Sequence, residues 1–163
     1  MRKIAVLIGI FLLAPLAAHA QKNEIFAGYS FMRMEAAPSN IFINGWEGSY
    51  TRLFSQYFGI EGDASGHYGS SSGSRFNFHS LYGGAQFRLP FRYSPFVHVM
   101  LGDTRLSFQG IVTNKVSVAD GGGFDYRASD DFYVRLIQFD YLTGLHTQIS
   151  PEFRVSTGII IRF

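Results

Sequence analysis

The chain has 163 residues, 47% hydrophobic and 17% aromatic, with 16% charged and no cysteine. Zero cysteines exclude a disulfide framework, and 14 Lys and Arg against 12 Asp and Glu do not make the strongly basic domain that nucleic-acid binding asks for. The length suits one domain, and the abundance of Phe, Tyr and Gly favours strands joined by turns.

The first segment reads as a leader. Arg2 and Lys3 precede an apolar stretch over 4–14, in the range of a signal-peptide core and too short to span a bilayer. Ala18-His19-Ala20 is a small-x-small cleavage site, so Ala18 and Ala20 are expected to direct processing. Residues 1–20 are then a cleaved secretory signal peptide and 21–163 a single mature domain; a retained anchor is the competing reading. Gln21 stands where a lipoprotein would carry Cys. Losing Arg2 and Lys3 takes the 14 bases to 12, level with the 12 acids. No run after residue 20 is long and apolar enough for a membrane helix.

Eight strands follow. The first covers 24–34, with Ile25, Ala27, Tyr29 and Phe31 on one face and Gly28 and Ser30 on the other. The second, 43–54, alternates Trp46, Gly48 and Tyr50 with Glu47, Ser49 and Thr51. The third, 58–68, sets Phe58, Ile60, Gly62 and Ala64 against Gly59, Glu61, Asp63, Ser65 and His67. The fourth, 77–89, sets Leu81, Ala85 and Phe87 against Tyr82, Gln86 and Arg88. The fifth, 96–107, sets Val97, Val99 and Leu101 against His98, Met100 and Thr104. The sixth, 116–127, sets Phe124 and Tyr126 against Gly123, Asp125 and Arg127. The seventh, 132–143, sets Phe139 and Tyr141 against Gln138 and Asp140. In the seventh, Arg135 lies five residues before Asp140, which in a regular strand puts them on opposite faces. A bulge near Leu136 or Ile137 would bring both inward; without one, Arg135 faces lipid near the headgroups. The eighth strand ends the chain: Phe153, Val155, Thr157, Ile159, Ile161 and Phe163 alternate with Arg154, Ser156, Gly158, Ile160 and Arg162.

Connections alternate in length. Those at 55–57, 90–95 and 128–131 are short, and those at 35–42, 69–76, 108–115 and 144–152 are longer and more polar. Short inner turns and long outer loops are the outer-membrane pattern, with both termini periplasmic. The Gly-Ser run over 69–74 reads as a mobile outer loop.

A secreted eight-stranded barrel is either a soluble carrier, apolar inside, or a membrane barrel, apolar outside. Here one face combines Glu47, Glu61, Asp63, Arg88, Asp125, Arg127, Asp140 and Arg154 with many Gly and Ser, which suits a narrow interior. The other is aliphatic and aromatic. The expected fold is therefore all-β: an eight-stranded antiparallel up-and-down transmembrane β-barrel. Charges inside must pair; Glu47, Glu61, Asp63, Arg88, Asp125, Arg127, Arg135, Asp140 and Arg154 are the expected salt-bridge network. That network either plugs the lumen or lines a narrow gated pore for water or small ions.

Gly123-Phe124-Asp125-Tyr126, then Arg135 and Asp140-Tyr141, then a strand ending on Phe163, resembles the last third of small OmpA/OmpX-type and opacity-like barrels. The opening Ala27-Gly28-Tyr29-Ser30 fits the same family. The resemblance implies an outer-membrane location in a Gram-negative bacterium and roles from envelope integrity to adhesion through outer loops. It maps interior salt-bridge roles onto Asp125 and Arg135, although the spacing from Arg135 to Asp140 departs from the pattern. Ile159, Ile161 and Phe163 resemble the terminal signal read by the barrel-assembly machinery. The implied partners are outer-membrane lipid, that machinery, periplasmic chaperones and an unidentified extracellular ligand, with the barrel a monomer. The peptidoglycan-binding domain that follows some of these barrels is not seen before the chain stops at Phe163, so a cell-wall tether is unsupported.

Some barrels of this size modify lipid A, which needs a Ser and a His base within reach. Of His67, His79, His98 and His146, only His67 has a Ser two positions away on its strand face, Ser65, and an enzyme is not expected. Glu61, Asp63, Ser65 and His67 share a face, but no His/Cys cluster has metal-ligand spacing. No cofactor or metal is expected.

Overall fold

A computed structural model describes residues 22–36, 39–71, 74–108, 111–144 and 152–163. The sites Ala18 and Ala20 and the loop His146 lie outside them. Eight strands run in chain order: β1 (Asn23–Ala36), β2 (Ser39–Leu53), β3 (Phe58–Ser71), β4 (Ser74–Arg88), β5 (Tyr93–Phe108), β6 (Ile111–Arg127), β7 (Phe132–Gly144) and β8 (Glu152–Arg162). Each pairs antiparallel with the next, and β1 pairs with β8, so the sheet closes into a barrel. Closure reaches the last residue: the Asn23 N–H donates to Phe163 O at 2.8 Å and the Phe163 N–H donates to Asn23 O at 2.9 Å. Closure leaves no unpaired edge, the condition for a sheet in lipid.

The period-two pattern sets the two faces. Exposed large side chains include Ile25, Tyr29, Trp46, Ile60, Leu81, Val97, Val99, Leu101, Phe139 and Ile159. Their neighbours in sequence point inward and are buried, among them Glu47, Glu61, Gln86, His98, Asp140 and Arg154. An apolar outside and a polar inside is the reverse of a soluble carrier. Aromatics ring both ends of the outer surface. Tyr57 stacks on Phe87 and Phe54 on Phe58 near the short turns, and Phe31 stacks on Phe42 toward the other end.

The short turns are held by serines, whose hydroxyls bond locally to backbone. Ser55 Oγ accepts from the N–H groups of Tyr57 (3.2 Å) and Phe58 (3.1 Å). Ser129 Oγ accepts from the Phe132 N–H at 3.1 Å, and Ser94 Oγ donates to Leu89 O at 2.6 Å.

At the other end, three of the four expected long loops are mostly strand, and the fourth, 144–152, lies largely outside the described residues. β1 and β2 continue to Ala36 and Ser39, β3 and β4 to Ser71 and Ser74, and β5 and β6 to Phe108 and Ile111. The Gly-Ser run thus belongs largely to a β-hairpin; ladder hydrogen bonds extend it whatever the side chains. Strands of 11 to 17 residues exceed the roughly 9–11 that cross a bilayer, so the hairpins project past the apolar band.

β7 carries one extra residue against both neighbours. Opposite β6, Ile137 pairs with Phe124 and Arg135 with Asp125; opposite β8, Gln138 pairs with Ser156 and Arg135 with Gly158. This bulge at Leu136–Ile137 turns Arg135 inward, to 1% exposure, while Leu136 is 47% exposed on the outer face. The lipid-facing alternative for Arg135 does not hold.

Candidate functional site

The interior is layered along the barrel axis. At the turn end, Glu24 on β1 faces Arg162 on β8 across the closing pair. Arg162 Nε donates to Glu24 Oε1 at 2.7 Å, and Arg162 lies over the Tyr133 ring at 4.2 Å. Arg88 Nη1 reaches the same Glu24 oxygen at 2.5 Å, while its Nη2 reaches Asp125 Oδ2 at 2.8 Å. Asp125 also accepts from Arg135 Nε at 2.9 Å. The Arg135 guanidinium is held between two rings, 4.4 Å from the centre of Phe26 and 4.2 Å from that of Phe96. Glycine makes room for one of them. Gly28 and Gly158 face each other across β1 and β8, and a Cβ on Gly28 would fall 2.5 Å from Phe26 Cζ. A planar, weakly hydrated guanidinium tolerates such a slot where an ammonium does not.

Midway, Gln138 links the layers. It accepts from Arg135 Nη1 at 2.5 Å and donates to Glu47 Oε1 at 2.8 Å and Asp140 Oδ2 at 2.7 Å. Arg154 then binds three carboxylates: Asp140 at 2.7 Å, Asp63 at 2.9 Å and Glu47 at 3.4 Å. His98 sits between two acids, Nδ1 to Glu61 at 3.0 Å and Nε2 to Asp140 at 2.8 Å. Ser156 donates to Glu47, and Ser30 Oγ lies 2.9 Å from both Ser156 Oγ and His67 Nε2. Charge is therefore segregated. Glu47, Glu61, Asp63 and Asp140 gather around Arg154 and His98, whereas arginines dominate the turn end.

Above this layer the interior is apolar, against the expectation of a polar lumen throughout. Met32, Ile43, Phe78, Tyr82, Met100, Ala119 and Leu142 form one buried cluster. They occupy inward positions of the outer half, where alternation assigns the face but not the polarity. The Tyr82 hydroxyl is satisfied by Ser117 Oγ at 2.8 Å.

Eight of the nine residues expected in the network are buried, and each forms an ion pair: Glu47, Glu61, Asp63, Arg88, Asp125, Arg135, Asp140 and Arg154. Arg127 is the exception. It shares the parity of Asp125, but β6 ends at this residue and its side chain is exposed at the mouth, with no ion pair among the described residues. Parity cannot say where a strand leaves the barrel. The sequence reading placed His98, Gln138 and Arg162 on the inner face without naming them as network members, and it missed Glu24. Its signal was two-residue spacing from Gly28 and Ser30 and a register opposite Arg162.

The Ser–His contact that forms runs between strands rather than along one, so spacing along the chain does not show it. His67 of β3 meets Ser30 of β1, and both are fully buried at 0% exposure, out of reach of a substrate. Among the described residues no group of three or more His, Asp or Glu is placed to hold a metal ion.

No family profile matches the chain, and no curated protein sequence matches it. Solved structures do. Neisserial surface protein A superposes with a TM-score of 0.71 at 11% identity, covering 86% of this chain and 97% of that one. The N-terminal β-barrel domain of Pseudomonas aeruginosa OprF gives 0.65 at 16% identity, over 88% and 98%. Ail, the attachment invasion locus protein of Yersinia pestis, in complex with the heparin analogue sucrose octasulfate, gives 0.64 at 18% identity, over 89% and 100%. By fold, the chain is a closed eight-stranded antiparallel barrel of the kind seen in these small outer-membrane proteins.

Proposed function

We propose that this chain is a small outer-membrane barrel of a Gram-negative envelope, with a closed lumen and a structural or surface-interaction role. The observation that carries the reading is the inversion of faces: an apolar, aromatic-girdled outside around a buried ion-pair network. A bilayer is the solvent for such an outside. Two features support a closed lumen. The ion pairs bridge strands on opposite sides of the barrel, as Arg154 of β8 does with Asp63 of β3, and the apolar cluster from Met32 to Leu142 fills the outer half. The outer hairpins are the parts left free for contact, and one protein of this fold is named for attachment.

The rest of the reading follows from export. Residues 1–20 act as a signal cleaved after Ala20, leaving one barrel domain as a monomer in lipid. Periplasmic chaperones and the barrel-assembly machinery handle it, the latter through Ile159, Ile161 and Phe163, whose side chains are exposed on the outer face of β8. The fold neighbours reported above fit a non-enzymatic role.

The test is conductance. The purified chain, folded into a planar bilayer, is expected to leave the membrane electrically silent. Discrete single-channel steps that survive repurification would overturn the closed reading in favour of the gated pore.

A further inference from the structure

The turn-end mouth holds a cavity of about 460 Å³. Four cationic side chains line it, Lys22, Arg88, Arg127 and Arg162, and no Asp or Glu does. Asp130 and Asp131 sit on the adjoining turn, where the Asp131 carbonyl accepts from the Arg162 N–H at 2.8 Å, but neither lines the cavity, and the acids paired with the lining arginines do not balance the bases. Glu24 is shared by Arg88 and Arg162, and Asp125 by Arg88 and Arg135, so three guanidiniums divide two carboxylates. Lys22 and Arg127 add two further positive charges, with no ion pair among the described residues. A second observation points inward: Arg88 Nε is buried without a hydrogen-bond partner, although all the N–H groups of a guanidinium are donors. Phe54 and Phe91 complete the rim and are exposed.

We propose that this mouth is a phosphate-binding site. Concave walls of low dielectric focus the excess positive charge on the cavity, and guanidiniums match the paired oxygens of a phosphate. The aromatic rim beside the cations fits a phosphate carried on a lipid headgroup as well as a free one. The site is independent of whether the lumen conducts, because the apolar cluster lies at the opposite end of the barrel.

The full chain, folded in a glucoside detergent that carries no phosphate, is titrated by calorimetry. One arm uses inorganic pyrophosphate and the other a short-chain phosphatidylglycerol. Saturable binding is expected in at least one arm. Replacing both Lys22 and Arg127 by Ala should weaken it by about tenfold or more. Both residues are exposed, so the barrel itself should be undisturbed. Arg92→Ala, a turn arginine engaged with Tyr126 at 2.8 Å and outside the cavity, should bind as the parent does. Binding of pyrophosphate supports a free-anion site, and binding of the lipid alone supports a headgroup site. No saturation in either arm, or a double variant that binds like the parent, would overturn the proposal.

Discussion

Arg154 pairs one guanidinium with three carboxylates, at 0% exposure, so its removal should be a harsh change in the interior. Arg154→Met keeps the volume and leaves Glu47 and Asp63 without their guanidinium, with His98 the one base still beside Asp140. Breaking a buried pair by removing one partner costs about 3–5 kcal/mol. The urea midpoint of the folded barrel should fall accordingly; an unchanged midpoint would mean that water reaches these acids and screens them. Arg135→Lys is subtler. Lysine keeps the charge but loses the paired contact to Asp125 and the planar fit between Phe26 and Phe96, a loss of about 2 kcal/mol. Gly28→Ala should destabilise through the same slot, because the added methyl meets both the backbone carbonyl of Thr157 and the Phe26 ring; a neutral result would show that the ring and the β1–β8 seam both give way. Arg127→Ala should leave the midpoint where it is.

At the scale of the element, β7 offers the sharpest contrast. Its one extra residue was legible from sequence, because Arg135 and Asp140 are five apart and both are too costly to leave in hydrocarbon. Deleting Leu136 shortens that interval to four and restores regular alternation, so a folded barrel should still form. Deleting Gly62 from β3 should not be tolerated, since it throws Glu61 and Asp63 onto opposite faces. Heat-modifiable migration on a gel reads both variants; similar behaviour of the two deletions would contradict the register. Alternation likewise exposed the inward face of every strand, because a barrel imposes period two throughout. It was blind to three things. Hairpins such as that at Ser71 and Ser74 are extended by backbone pairing, which composition does not report. The apolar cluster around Met100 obeys the same parity as the charges. Contacts between strands, such as Glu24 with Arg162 and Ser30 with His67, depend on register and closure rather than spacing along the chain.

For the whole molecule, closure and insertion converge on the last residue. Phe163 completes the β1–β8 seam through its backbone, while its ring is 61% exposed on the outside. Deleting Phe163 should therefore lower the amount of folded barrel in the outer membrane far more than deleting two residues from the hairpin at 69–74. Equal yields would count against a terminal assembly signal. The most direct measurement on the molecule as a whole is simple. The full chain is expressed in a Gram-negative host, and the outer-membrane fraction is run on a gel with and without boiling. A band in that fraction whose mobility shifts on boiling is the expected result, since a closed barrel embedded in lipid resists detergent until heated. A soluble periplasmic product with no shift would contradict the assignment of the apolar face to the membrane.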